Sequence, residues 1–298
     1  MKRIEVPASI HVGAALHQHP EENMDLRLGP AEAVKRDACP LRRSFVERSG
    51  GNDGPTPLTS LLRTRDLVGG KGGGLRISLL MSLIWVIARP PYSTSRVSAY
   101  WAELLGIKDP RGDGARTVRD ALHELADREF IRLHSTGSRT EIVLLNESSP
   151  TTNGEPVAYD PPYGKEAYLS VPRAFWLDGL AGSLSGAGVS MYLCALALTR
   201  SDDPEFFIST AFFEDQYGIS RSSRKRGLAE LMQREVLTVR VEETVDARTF
   251  RRVRRNIYRL TKRYRLPEPW TGAEAEGTKS PPEKQEEAVK ANLPGATK

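Results

Sequence analysis

Cysteine is almost missing from this 298-residue chain, which has only Cys39 and Cys194. Two such distant thiols make no CxxC pair and no disulfide framework, so a secreted, disulfide-stapled scaffold is excluded and a reduced cytoplasm is expected. Long apolar runs are missing too. The longest, Leu79 to Ala88, is interrupted by Ser82; it is too short to span a bilayer and suits a buried helix. The opening Met1-Lys-Arg-Ile-Glu-Val-Pro7 turns polar by His17 and has no basic-then-apolar signal pattern, so no membrane association is expected.

Recognisable catalytic chemistry is scarce as well. Gly69-Gly-Lys-Gly-Gly-Gly74 invites a phosphate-loop reading, but no Ser or Thr follows Lys71 and no full apolar strand precedes it. His17-Gln-His19 has Gln where a His-hydrophobic-His metal motif needs an apolar residue, and it sits in polar sequence. His11, His123 and His134 have no evident partners, and no paired carboxylates or nucleophile–base set stands out. An enzyme is not expected, nor is a cofactor or a metal.

What the chain has is a segment that occurs twice. Arg116 to Ile131 and Ser222 to Leu237 align at an offset of 106, where Leu122, Glu124, Leu125, Arg128 and Glu129 match Leu228, Glu230, Leu231, Arg234 and Glu235. A Gly-Ile pair precedes both, Gly106-Ile107 and Gly218-Ile219. So long a period reads as a duplicated domain rather than a solenoid.

The charge is unevenly spread. The net is +5, yet from Arg221 to Arg265 thirteen Arg and two Lys face five acids, a local net of +10. Such segregation is the footprint expected for a polyanion partner, nucleic acid first and anionic membrane second, the alternative being a solvated surface in an Arg-rich proteome.

Composition shifts divide the chain. Residues 1–56, closed by Gly50-Gly-Asn-Asp-Gly-Pro55, are expected to be a disordered N-terminal segment, and residues 267–298 a disordered tail. Residues 57–147 and 167–266 form two units, joined over 148–166 by a turn-rich linker. In the first unit an apolar helix over Leu75–Arg89 is stopped by Pro90-Pro91. A shorter helix ends at Gly106, the repeated helix follows, and two strands close the unit. The second unit repeats that order, with helices near Leu184–Thr199 and Thr210–Tyr217 and a basic hairpin of Leu237–Glu243 with Phe250–Leu260. Three helices, the last two joined by a tight turn, then a hairpin, predict a winged helix. The expected class is α+β and mainly helical, with two tandem winged-helix domains.

In the repeated helix Val118, Leu122 and Leu125 form one stripe at i, i+4 and i+7. Arg116, Thr117 and Arg119 then face outward from the first turns, the part of a helix that reaches base edges in a major groove. The second copy offers Arg221, Ser222, Ser223, Lys225 and Arg226, with Ser220 as N-cap. The position of core Val118 is taken by Arg224, whose stem either covers the core edge or marks a later helix start. Arg251, Arg252, Arg254 and Arg255 crowd the second hairpin, and Arg139 marks the tip of the first. Basic side chains on a hairpin grip phosphate, or else protect an exposed strand edge.

With Trp101-Ala-Glu-Leu-Leu-Gly106, Tyr217-Gly-Ile-Ser220 and Arg254-Arg-Asn-Ile-Tyr-Arg-Leu260, the two units resemble winged-helix (helix-turn-helix) DNA-binding proteins of high-GC actinobacteria. The layout is also similar to that of plasmid replication initiators. The resemblance implies a sequence-specific double-stranded DNA-binding protein of regulatory type, reading adjacent major-groove segments without requiring a palindrome. It leaves open an origin-binding initiator of a plasmid or integrative element, and a first unit that binds a protein partner while the second holds DNA. An oligomer is compatible with each reading.

Overall fold

In a computed structural model the chain is an α+β protein whose helices outweigh its small antiparallel sheets. The structure describes residues 24–48, 54–63, 72–137, 139–148, 151–152, 155–163, 166–199, 204–245, 250 and 252–265. His11, His17, His19, Arg251 and the expected tail over 267–298 lie outside the described residues.

The elements run α1 (Met24–Ala33), β1 (Ala38–Arg42), α2 (Arg43–Val46), α3 (Pro57–Leu62), α4 (Gly73–Val86), β2 (Ser93–Thr94), α5 (Ser98–Leu104), α6 (Asp113–Asp127), β3 (Ile131–Thr136) and β4 (Arg139–Leu144). The short pair β5 (Thr151–Thr152) and β6 (Glu155–Pro156) leads to β7 (Tyr168–Pro172), α7 (Ala174–Leu177), α8 (Leu180–Ser183), α9 (Gly186–Leu198), β8 (Glu205–Phe207), α10 (Thr210–Tyr217), α11 (Arg221–Gln233), β9 (Leu237–Val245) and β10 (Arg252–Leu260). None of the described helices is long and apolar enough to cross a membrane.

One order of nine elements therefore occurs twice: strand, two short helices, long helix, short strand, two helices, hairpin. The three-stranded sheets match as well, β2-β4-β3 and β8-β10-β9. In each, the short early strand pairs with the last strand, and the hairpin lies beside the last helix of its copy.

The first copy starts at Ala38, which corrects the expectation that residues 1–56 are disordered. Cys39, Leu41, Phe45 and Val46 are fully buried, and β1 pairs antiparallel with β7. Four apolar residues among basic neighbours have no period to read; a strand 130 positions away in sequence supplies the partner that buries them. Residues of the expected linker are held too. The buried Arg42 guanidinium meets the buried Glu147 at 2.9 Å, Asp160 at 3.1 Å and Glu166 at 2.5 Å, tying β1 to the chain on both sides of the β5–β6 pair.

A single hydrophobic core runs through both copies. Its centre is α4 against α9, two helices apolar on nearly every side, as helices surrounded by protein must be. Trp85 of α4 stacks on Trp176 at 4.2 Å, and the Trp176 indole N–H donates to Ser82 Oγ at 2.9 Å. The glycine run at the start of α4 includes two packing positions. Gly73 and Gly74 are buried, and a Cβ on Gly74 would stand 2.9 Å from the Gly186 nitrogen.

Candidate functional site

The last helix of each copy, α6 and α11, is fixed by the repeated residues. Val118, Leu122 and Leu125 are buried on one side of α6, as the stripe requires. Glu124 takes a 2.6 Å hydrogen bond from the buried Arg76 at the start of α4. Its counterpart Glu230 accepts from the Ser185 amide at 2.8 Å and from the Ser185 hydroxyl, at the N-cap of α9. Arg128 donates to the carbonyls of Ser60 and Arg63 at the end of α3, and Arg234 to the carbonyl and hydroxyl of Ser183 at the end of α8. Glu129 and Glu235 both take positive φ, 62° and 57°, to stop the helix and turn the chain into the hairpin. Most of the residues that reveal the repeat thus face the scaffold.

The opposite sides of the same helices are free. On α6, Arg116, Thr117, Arg119, Asp120 and His123 are exposed, and Thr117 Oγ1 donates to the Asp113 carbonyl at 2.9 Å. On α11, Arg221, Ser222, Lys225 and Arg226 are exposed; Ser223 is half-buried and its amide donates to the capping Ser220 hydroxyl at 3.3 Å. The helix begins where the cap puts it, so Arg224 belongs to the stripe: it is 9% exposed and its guanidinium lies 5.4 Å over the Phe213 ring.

In the first copy, α6, the start of α5 and the hairpin β3–β4 enclose an open groove of about 460 Å³. Arg96, Arg111, Arg119 and Arg139 surround it, with His123 on its helical wall and Leu133 and Ser135 on its strand wall. Arg111 makes a long 3.6 Å ion pair with Glu103, and Arg96 lies 4.2 Å over the Tyr100 ring. Burial raises the Tyr100 phenol above its ordinary value, against the pull of Arg96. Arg96 and Arg111 are additions to the residues expected from sequence. The signal was there in Ser93-Thr-Ser-Arg-Val-Ser98, a cluster of hydroxyls around one Arg ahead of a helix.

The second hairpin is longer, nine residues paired with nine. Alternation splits its arginines. Arg252 and Arg254 share a face with Tyr258 and Leu260, which are buried in the core with Leu228 and Leu231 of α11, so both project from the helix-side face further out along the hairpin. Arg254 makes a 3.4 Å pair with Glu243 across the strands, both largely exposed. Arg255 is on the other face and packs at 4.9 Å over Phe207. The expected four-arginine set is therefore not one surface. Among the described residues Arg221, Lys225, Arg226 and Arg252 make no ion pair, whereas Arg240 is held by Glu205 at 2.7 Å and Glu242 at 3.4 Å.

Compared with known proteins, the chain matches no family, no curated protein and no solved structure.

Proposed function

We propose that this protein is a sequence-specific double-stranded DNA-binding protein of regulatory type, and that the last six elements of each nine-element copy form a winged helix. The element order and the sheet orders β2-β4-β3 and β8-β10-β9 support that assignment. One observation carries the function. In both copies the exposed first half of the last helix combines Arg or Lys with Thr or Ser; beside it the second hairpin presents Arg252 and Arg254 on its helix-side face, and in the first copy Arg139 at the hairpin tip lines the groove. Arginine pairs two-pronged with guanine, short hydroxyls bond bases or phosphates, and basic hairpins hold the backbone.

The arginine-rimmed groove extends the reading to the first copy, which is proposed to lie on DNA rather than to serve only a protein partner. The resemblance to actinobacterial winged-helix proteins and plasmid initiators agrees with it. Placement in the cytoplasm belongs to the same proposal, since Cys39 and Cys194 are buried free thiols. No catalytic step is proposed.

The test is base preference. Arg116→Ala in α6 and Ser222→Ala in α11 are expected to relax selectivity at separate positions of the bound site. Without a two-pronged arginine pairing, discrimination is expected to fall by about 1–3 kcal/mol, and without a hydroxyl bond by less. Competition binding with single-base variants measures this, and unchanged preference in both proteins would remove α6 and α11 from recognition.

A further inference from the structure

The two copies meet through like surfaces, and this constrains the DNA they share. Residues 130 apart are equivalent at the start of each copy: β1 and β7 have the same burial pattern, and Arg43-Ser-Phe45 matches Arg173-Ala-Phe175. In the antiparallel pairing Ala38 meets Pro172 and Arg42 meets Tyr168, so exchanging the copies returns the same set of pairs, with Pro40 opposite Ser170 at the centre. The flanking bonds are images of each other: the Arg43 amide donates to the Ala167 carbonyl at 3.0 Å, and the Arg173 amide to the Asp37 carbonyl at 2.8 Å. A second such point joins the long helices. A Cβ on Gly74 would stand 2.9 Å from the Gly186 nitrogen, and one on Gly186 3.2 Å from the Gly74 nitrogen. Reciprocal contact of this kind marks a two-fold relation; a head-to-tail repeat joins unlike surfaces.

The two points lie at different levels of α4. Cys39 of β1 reaches the Met81 carbonyl past the middle of the helix, whereas Gly74 is in its first turn, about 10 Å away along the axis. Both last helices attach at the glycine end, α6 through Glu124 to Arg76 and α11 through Glu230 to Ser185. They therefore flank one end of the same axis.

We infer that the chain is an internal dimer whose ligand is a duplex with two half-sites on opposite strands, in inverted orientation, and of different sequence. The inference rests on the DNA-binding reading above. Inversion follows from the two-fold relation of the reading helices. Difference follows from their side chains: Arg116, Thr117, Arg119, Asp120 and His123 stand where α11 has Ser222, Ser223, Lys225, Arg226 and Ala229. The scaffold is symmetric and the reading surface is not.

Making the reading surface symmetric exposes the orientation. One variant carries Ser222→Arg, Ser223→Thr, Lys225→Arg, Arg226→Asp and Ala229→His. A second, in case the first folds poorly, carries Arg116→Ser, Thr117→Ser, Arg119→Lys, Asp120→Arg and His123→Ala. Each full-length chain, alongside the unaltered protein, selects from a library of random double-stranded DNA. Each variant is expected to enrich one half-site twice as an inverted repeat, bound roughly tenfold or more tightly than the same half-sites as a direct repeat. Enrichment of a direct repeat, or of one isolated half-site, would overturn the inference and leave DNA binding intact. No enrichment by the unaltered protein would overturn the DNA-binding reading itself.

Discussion

Glu230 shows what a repeated residue does in this molecule. Its carboxylate caps the first turn of α9, where unpaired amides and the helix dipole favour negative charge, while Arg234 one turn on closes the end of α8. Glu230→Ala is expected to lower stability by about 1–3 kcal/mol in denaturant unfolding and to leave the preferred DNA sequence unchanged. A shifted preference with stability intact would move Glu230 from the scaffold to the reading surface. Sequence alone made Glu124 and Glu230 conspicuous but could not say which way they face. A duplicated fold keeps the residues that hold its helices together, while its outward residues are free to diverge. Arg224 was ambiguous for a related reason: an arginine at a core position becomes intelligible only with Phe213 beneath its guanidinium.

At the scale of elements, the hairpin β9–β10 carries the clearest division of labour. Arg252 and Arg254 project from the helix-side face, and Arg255 rests on Phe207 behind it. Replacing Arg252 and Arg254 together with Ala is expected to weaken binding to all duplexes. It should also flatten the dependence of log K on log salt by about 0.9 for each phosphate that the hairpin no longer neutralises. Arg255→Ala is expected to leave that slope unaltered. Equal slopes in all three proteins would take the hairpin out of the backbone contact.

Helix α6 could be read from its i, i+4, i+7 stripe, and α10 from the tight turn that follows it. The two-residue strand β2 and the five-residue β1 could not. A strand that short has no period, and its place is set by partners distant in sequence, β4 for one and β7 for the other. The candidate site was legible in the same measure. The outward residues of α6 and α11 followed from the stripe, whereas Arg96 and Arg111 entered only once α5, α6 and the first hairpin closed around one groove.

At the scale of the whole molecule, the segment before residue 57 completes the first copy and pairs it with the second. Helices α6 and α11 are thereby held in one relation by a common core, and their spacing is a property of the fold rather than of a linker. Asymmetric charge on a symmetric frame then assigns roles. On the proposed DNA-binding function, the second copy, within the stretch of net +10, is expected to supply most of the affinity, and the first, with its open groove, to add discrimination. The most direct measurement is selection by the unaltered full-length chain from random double-stranded DNA. The expected result is a motif in two unlike halves whose centres lie about one helical turn, roughly 34 Å, apart. Failure to enrich any motif would contradict DNA recognition by this chain, and a single half-site would contradict its use of both helices.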